Sequence, residues 1–195
     1  MQECVEKEPA RQQRGGKSWV GPALWLYGGL LAAVGTWVGL TPAVLPLPGL
    51  DDPTGLGWRA ALGVGAGLLA AAISRAWVRW SESARRSAEL LSELLGPLGA
   101  GTAWLLALLS GVAEEALFRG LLQPALGFWA ASLLFGAAHW TPLRELRSWT
   151  LSTLVAGLCL GALFAGTGDL LAPTLMHVVV NGLNLRWLGE RRSSD

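Results

Sequence analysis

The stretch Gly111–Gly120, "GVAEEALFRG", carries two carboxylates and a guanidinium inside an otherwise apolar segment. Residues 94–113 before these charges and residues 120–143 after them contain no Asp, Glu, Lys or Arg. Removing a charge from water is costly, so three charges at this place need partners or a function. The surroundings predict a helix inside a membrane, and its charges are the first candidates for a functional site.

The rest of the chain has the same apolar character. Apolar residues make up 52% of the sequence and charged residues 15%, which excludes an ordinary soluble domain. The apolar residues form charge-free blocks separated by short charged clusters, a pattern typical of several transmembrane helices. The candidate spans lie at residues 18–50, 60–80, 98–123, 127–140, 149–165 and 170–187. We therefore predict an all-α polytopic membrane protein with about six transmembrane helices and its active site inside the helix bundle.

The basic residues predict how this bundle is oriented. If the loops are numbered alternately from the N-terminus, one set holds all the basic residues except two, Arg59 and Arg119. By the positive-inside rule, the basic set is cytoplasmic, so both termini are expected to be cytoplasmic and the number of spans even. We expect an integral, multi-pass protein of a bacterial cell membrane or of an internal membrane.

The two glutamates of the opening stretch differ in their local partners. Positions four apart on a helix share a face, so Glu115 is expected to form an ion pair with Arg119. Glu114 points about 100° away from Glu115, and its own neighbour four residues on is Phe118. Glu114 is therefore left without a local partner, which makes it the stronger functional candidate.

Two histidines, His139 and His177, are the only ones in the chain, and both lie in apolar blocks. Glu114 and His139 each lie about 12 residues from a predicted turn at 124–127, which places them at one depth. Asn181 lies at a similar distance from the turn at 166–169, and His177 is one helical turn nearer, on the same face as Asn181. The sequence therefore predicts that Glu114, His139, His177 and Asn181 converge on one layer of the membrane interior.

Such a set of side chains suits the hydrolysis of an amide. A carboxylate beside an imidazole can activate a water molecule, and a second imidazole with an amide donor can stabilise an oxyanion. Three alternatives remain open: a catalytic zinc held by Glu114, His139 and His177, a proton relay in a transporter, and polar contacts that only join helices. The zinc-protease signature HExxH is absent, and no surface typical of a nucleic-acid-binding protein is present.

Three motifs resemble those of the CPBP family, which contains the CAAX proteases and bacteriocin-processing enzymes and is also called the Abi family. The segment "EEALFRG" resembles the EExxxR motif of this family, Phe135–His139 ("FGAAH") its FxxxH motif, and His177–Asn181 ("HVVVN") its HxxxN motif. The motifs occur in the family's order on apolar helices, and the similarity covers about residues 98–188. Residues 1–97 match nothing specific in the family.

The resemblance implies an intramembrane endopeptidase, related to the type II CAAX prenyl endopeptidase, that acts on a membrane-associated protein or peptide. It implies that Glu114 and His139 activate water and that His177 and Asn181 form the oxyanion site. The supporting residues it implies are Glu115, Arg119 and Phe135. It implies no cofactor, with zinc as the alternative. A non-catalytic scaffold or bacteriocin-immunity protein of the same fold is the other possibility.

The resemblance and the hydropathy pattern together predict the domain organisation. Residues 1–17 are expected to be a cytoplasmic tail and residues 18–97 two variable transmembrane helices plus a connector. Residues 98–188 are expected to be a catalytic core of four helices, and residues 189–195 a second cytoplasmic tail. In the connector, the leucines at 90, 91, 94 and 95 lie opposite charged residues, which predicts an amphipathic linker helix on the cytoplasmic face.

Overall fold

A computed structural model describes residues 19–49 and 51–193, and over these residues the fold is all-helical, as predicted. The expected N-terminal tail, residues 1–17, lies outside the described residues. The helices are α1 (Val20–Leu40), α2 (Pro53–Trp80), α3 (Glu82–Leu95), α4 (Ala100–Leu126), α5 (Phe128–Ala138), α6 (Arg147–Thr167) and α7 (Leu171–Ser193). Helix α7 runs through residues that the sequence assigned to the C-terminal tail.

Local signals explain where several helices begin and end. Asp52 accepts a hydrogen bond from the Gly55 N–H over 2.9 Å, and Pro53 occupies the first position of α2, so both residues favour helix initiation there. Gly127 ends α4 and begins α5 with a φ of +84°, a conformation that a side chain would strain. The hairpin turn expected at 124–127 is therefore made by one glycine.

Three helical segments are long and apolar enough to cross a membrane, namely Val20–Leu40, Pro53–Trp80 and Arg144–Thr167. A fourth span results if α3 and α4, which are bent by 105° relative to each other, are counted as one broken span. These helices indicate an integral multi-pass membrane protein. Six spans were predicted, but α5 and α7 are not among the helices that qualify as spans. Helix α5 has only 11 residues, and α7 carries histidine, asparagine and several charged residues. Six spans and cytoplasmic termini stay predictions.

The connector forms a helix, α3, which packs against the protein through a face of small residues. Its buried residues are Ala84, Ser87, Ala88 and Ser92, whereas Leu94 is half exposed. The Ser92 hydroxyl donates to the Leu188 carbonyl over 2.7 Å, and the Ser87 hydroxyl donates to the Glu145 carbonyl. The small face of α3 therefore attaches it to α7 and to the turn before α6, and the leucine face is the more exposed one.

Helix α7 lies at the centre of the bundle and packs mainly against α2 and α4. Glycines allow these close approaches: a Cβ atom on Gly63 of α2 would lie 2.5 Å from the Ala172 carbonyl oxygen, and one on Gly111 of α4 would lie 2.6 Å from Val178. Small residues at helix contacts are typical of membrane proteins, in which backbones approach closely. The buried apolar residues around this contact are Phe118, Phe135, Leu160 and Met176.

Candidate active site

The charged stretch of α4 is buried. Glu115 and Arg119 are fully buried and Glu114 is nearly so. Arg119 Nη1 donates to Glu115 Oε1 over 3.2 Å, so the ion pair expected from the spacing of these two residues is present. Arg119 Nη2 donates to the Gly157 carbonyl over 2.8 Å, which joins α4 to α6.

Helix α4 contains a wider, π-helical turn, and side chains in and directly after this turn bond to α6. Residues Ala116–Leu122 form a π-helical segment, a feature often found at functional sites. After this segment Gln123 donates to the Gly161 carbonyl over 2.9 Å, one turn beyond the bond from Arg119 to Gly157. A Cβ atom on Gly157 would lie 3.0 Å from the Phe135 ring, and one on Gly161 would lie 2.8 Å from Ser132 Oγ. Gln123 was not expected from the sequence; the small-xxx-small spacing of Gly157 and Gly161 was the available signal.

Glu115 also binds one of the two histidines. His177 Nδ1 donates to Glu115 Oε1 over 2.8 Å, so one carboxylate oxygen accepts from both Arg119 and His177. This bond orients the ring so that the opposite nitrogen, Nε2, lies 4.0 Å from Glu114 Oε2. The bond between Glu115 and His177 was not expected from the sequence.

The other histidine approaches the same carboxylate from α5. His139 directly follows the last residue of α5, and its Nδ1 donates to the Phe135 carbonyl over 2.8 Å. A carbonyl oxygen can only accept, so the neutral ring carries its proton on Nδ1 and a lone pair on Nε2. That Nε2 lies 3.5 Å from Glu114 Oε2.

Glu114 Oε2 therefore faces the Nε2 atoms of both histidines, and it has no hydrogen-bond partner among the described residues. When both imidazoles are neutral, Glu114 Oε2 and the two Nε2 atoms are all hydrogen-bond acceptors. A water molecule placed between them could donate a hydrogen bond to two of these atoms. The Phe135 ring packs against His139 and His177, with ring centroids 4.7 and 5.8 Å away. The guanidinium of Arg119 lies 4.5 Å from the centre of the same ring.

Asn181 lies one turn after His177 on α7, as its spacing requires, and it has a partner that the sequence did not indicate. Its Nδ2 donates to Ser110 Oγ over 3.1 Å. Ser110 is buried on α4 one turn before Glu114. The asparagine is thus fixed by the helix that carries the carboxylates.

Helix α1 packs against α4 and places the half-buried Tyr27 near Glu114 and Ser110. Tyr27 was not expected from the sequence, although it is the chain's one tyrosine and lies in an apolar block.

Within residues 19–49 and 51–193, no group of three or more His, Cys, Asp and Glu side chains is arranged to hold a metal ion. The zinc alternative, with Glu114, His139 and His177 as ligands, therefore has no support from the positions of these side chains.

A groove of about 480 Å³ lies between α2, α6 and α7. Its lining is apolar and includes Leu62, Ala66, Leu163 and Met176, the residue before His177. Glu114 and the two histidines do not line this groove.

Comparisons with known proteins agree with the motifs. Residues 97–183 match the family described as type II CAAX prenyl endopeptidase Rce1-like. Over 80 residues the chain is 40% identical to the uncharacterized protein YpbD of Bacillus subtilis (strain 168), an alignment that covers 40% of this chain and 41% of that protein. The chain thus spans about two fifths of the length of that curated relative, and no solved structure matches it.

The matched residues contain all three motifs and both histidines, so the resemblance seen in the sequence is confirmed. Tyr27 lies outside them. Residues 97–183 of this chain are therefore similar to the type II CAAX prenyl endopeptidase Rce1-like family.

Proposed function

We propose that this protein is an intramembrane endopeptidase that hydrolyses a peptide bond of a membrane-associated protein or peptide. The observation that carries the proposal is the position of Glu114 Oε2, buried and facing the Nε2 atoms of His139 and His177 at 3.5 and 4.0 Å. The match of residues 97–183 to a peptidase family supports the reaction class, and the apolar helices support a substrate at the membrane.

In the proposed reaction, Glu114 and His139 bind the attacking water. The Nδ1–H of His139 is held by the Phe135 carbonyl, so its Nε2 is free to accept a proton. The water oxygen forms a bond to the carbonyl carbon of the substrate while its proton passes to Glu114 or His139. The same group then returns the proton to the leaving amine when the carbon–nitrogen bond breaks.

His177 and Asn181 are proposed to stabilise the oxyanion of the tetrahedral intermediate. An imidazole with hydrogens on both nitrogens can donate from Nε2 while Nδ1 stays bonded to Glu115. The amide of Asn181 has two N–H groups, and its bond to Ser110 uses one of them, so the other can serve the oxyanion. Glu115, Arg119 and Phe135 hold these donors in position.

Replacing Glu114 tests the proposal directly. We expect Glu114→Gln to abolish cleavage, because the amide keeps the shape of the side chain but cannot take up the proton. The readouts are hydrolysis of an internally quenched peptide library by protein in lipid vesicles, and proteomics of membrane fractions from cells that carry either form. The control is Glu89→Gln, which removes an exposed carboxylate on α3 and should leave cleavage unchanged.

Full activity of a correctly folded Glu114→Gln protein would reject Glu114 as the base. Metal content and activity after chelation are measured on the same preparations. We expect hydrolysis to persist in chelated, metal-free protein, whereas a loss that added zinc restores would establish the zinc alternative. A scaffold or immunity protein would instead retain its cellular effect in the Glu114→Gln and His139→Ala variants.

A further inference from the structure

Two rows of polar side chains face each other where α4 packs against α7. Ser110 and Glu114 lie four residues apart on α4 and therefore share a face of that helix, and His177 and Asn181 have the same spacing on α7. Glu114 Oε2 lies 4.0 Å from His177 Nε2. One turn away, Asn181 Nδ2 lies 3.1 Å from Ser110 Oγ. The contact at Ser110 thus continues the contact at the proposed base.

The Ser110 hydroxyl acts as an acceptor towards Asn181. Ser110 is buried, and its Oγ lies 3.2 Å from the Ala107 carbonyl of its own helix. A carbonyl oxygen can only accept, so the single hydroxyl proton of Ser110 is donated to Ala107. The Oγ atom therefore offers lone pairs to α7, and the Asn181 amide meets them with its nitrogen.

This acceptor decides which end of the Asn181 amide faces α4. The last torsion of an asparagine side chain is roughly two-fold, so the amide group can turn over and exchange its nitrogen with its oxygen. An N–H group stabilises an oxyanion, whereas an amide oxygen in the same place would repel it. By accepting from Nδ2, Ser110 holds the nitrogen in place and leaves its second hydrogen for another acceptor.

We propose that Ser110 is a positioning residue that fixes the Asn181 amide with its nitrogen towards α4, so that an N–H group meets the oxyanion. The inference rests on the proposed function of Asn181. The close packing at the next residue supports it, because a Cβ atom on Gly111 would lie 2.6 Å from Val178 of α7. The two helices are near enough here for the short side chain of serine to reach Asn181.

The first test is kinetic and uses a quenched peptide that the wild-type protein cleaves in lipid vesicles. We expect Ser110→Ala to lower kcat about threefold to tenfold, the range for one lost hydrogen bond between uncharged groups. KM should change less than about twofold, because the oxyanion forms only after the substrate has bound. The matched control is Ser152→Ala, which removes an exposed hydroxyl that donates to the Ser148 carbonyl of its own helix and should leave both constants unchanged.

A double variant separates positioning from a general effect of Ser110 on the fold. If the serine acts through Asn181, adding Ser110→Ala to Asn181→Ala should lower kcat by less than about 1.5-fold further. A further loss as large as that in the wild-type background would mean that Ser110 acts elsewhere, and would overturn the inference.

The second test does not depend on activity. The chain contains two asparagines, Asn181 and Asn184, so isotope-labelled asparagine gives two side-chain amide signals in the NMR spectrum of the full-length protein. We expect a nuclear Overhauser effect between the Asn181 amide hydrogens and the β hydrogens of Ser110 in the wild type. In Ser110→Ala the Asn181 signal should shift, while that of Asn184, which accepts from Arg75 Nε over 3.4 Å, stays in place. A missing Overhauser effect would overturn the inference even if Ser110→Ala fails to fold.

The two tests separate this inference from the proposed function. Wild-type kcat in folded Ser110→Ala, beside an inactive Glu114→Gln, overturns the role of Ser110 and leaves the peptidase proposal standing. Full activity of Glu114→Gln rejects the peptidase proposal and, with it, the positioning role. A loss of kcat in Ser110→Ala that vanishes in the Asn181→Ala background, together with the Overhauser effect, supports the inference.

Discussion

Glu115 shows how a single carboxylate organises this site. Its Oε1 accepts from Arg119 on its own helix and from His177 on α7, and both the acid and the guanidinium are shielded from solvent. The ion pair between Glu115 and Arg119 could be predicted from the sequence, because residues four apart lie on the same face of a helix. The contact with His177 depends on how α7 is rotated against α4, which no local spacing determines.

The candidate residues that the sequence indicated differ from those that it did not indicate. Glu114, His139, His177 and Asn181 were selected as polar residues at similar depth in apolar helices, and three of them meet at one oxygen atom. Ser110 and Gln123 are uncharged and, unlike Asn181, lie outside the three motifs, and uncharged polar residues are common in membrane helices. Their part in the site becomes visible only once the helices are packed.

At this scale we expect Glu115→Gln to act on stability as well as on activity. The variant leaves Arg119 buried without its counter-charge, and breaking a buried ion pair from one side typically costs about 3–5 kcal/mol. Unfolding of the detergent-solubilised protein by denaturant or heat measures this loss. Glu89→Gln on the exposed face of α3 is the control. A Glu115→Gln protein as stable as the wild type would mean that the pair is not needed for folding.

Among the helices, α3 packs against the protein through small residues. The sequence predicted an amphipathic helix on the cytoplasmic face, which stays a prediction, and the residues that α3 buries are alanines and serines. Lipid is as apolar as leucine, so leucine gains little by facing protein, whereas small residues let two backbones come close. The helix itself and its approximate bounds were predictable, but the direction in which it packs was not.

The contact of α2 with α7 gives a prediction at the level of elements. A Cβ atom on Gly63 would lie 2.5 Å from the Ala172 carbonyl oxygen and 2.9 Å from its Cα, so Gly63→Ala must push the two helices apart. We expect a loss of about 1–3 kcal/mol in the free energy of unfolding, as for other overpacked contacts.

The matched control is Gly65→Ala on the same helix, where an added Cβ meets nothing within 4 Å. This substitution should leave stability unchanged or raise it slightly, because alanine favours helix. Equal unfolding curves for the two variants would contradict the close packing of α2 on α7.

For the whole molecule, hydropathy predicted the helical membrane fold and six spans, whereas three helical segments, or four with α3 and α4 as one broken span, are long and apolar enough to cross a membrane. Long apolar helices such as α1 and α2 stand out because each has enough residues to cross the hydrocarbon core. The segments that carry the candidate site are shorter or more polar, since the candidate site residues replace apolar ones. Hydropathy is therefore least informative in the part of the chain where the chemistry is proposed to occur.

The bundle as a whole yields a prediction about topology. Six spans, or four with α3 and α4 as one broken span, both place the termini on the same side, whereas three spans place them on opposite sides. From the distribution of arginine and lysine we expect both termini in the cytoplasm. Fusions of a compartment-specific reporter to each end measure this. A signal from opposite sides would exclude both even-numbered topologies.

The brevity of α5 has a consequence for the surrounding lipid. Eleven residues rise only about 17 Å, roughly half the thickness of a hydrocarbon core. Such a hydrophobic mismatch is relieved when the bilayer thins beside the short helix. Headgroups and solvent are then drawn down towards its end, where His139 follows the last residue. We therefore expect the thinned membrane to admit water to the proposed site at His139.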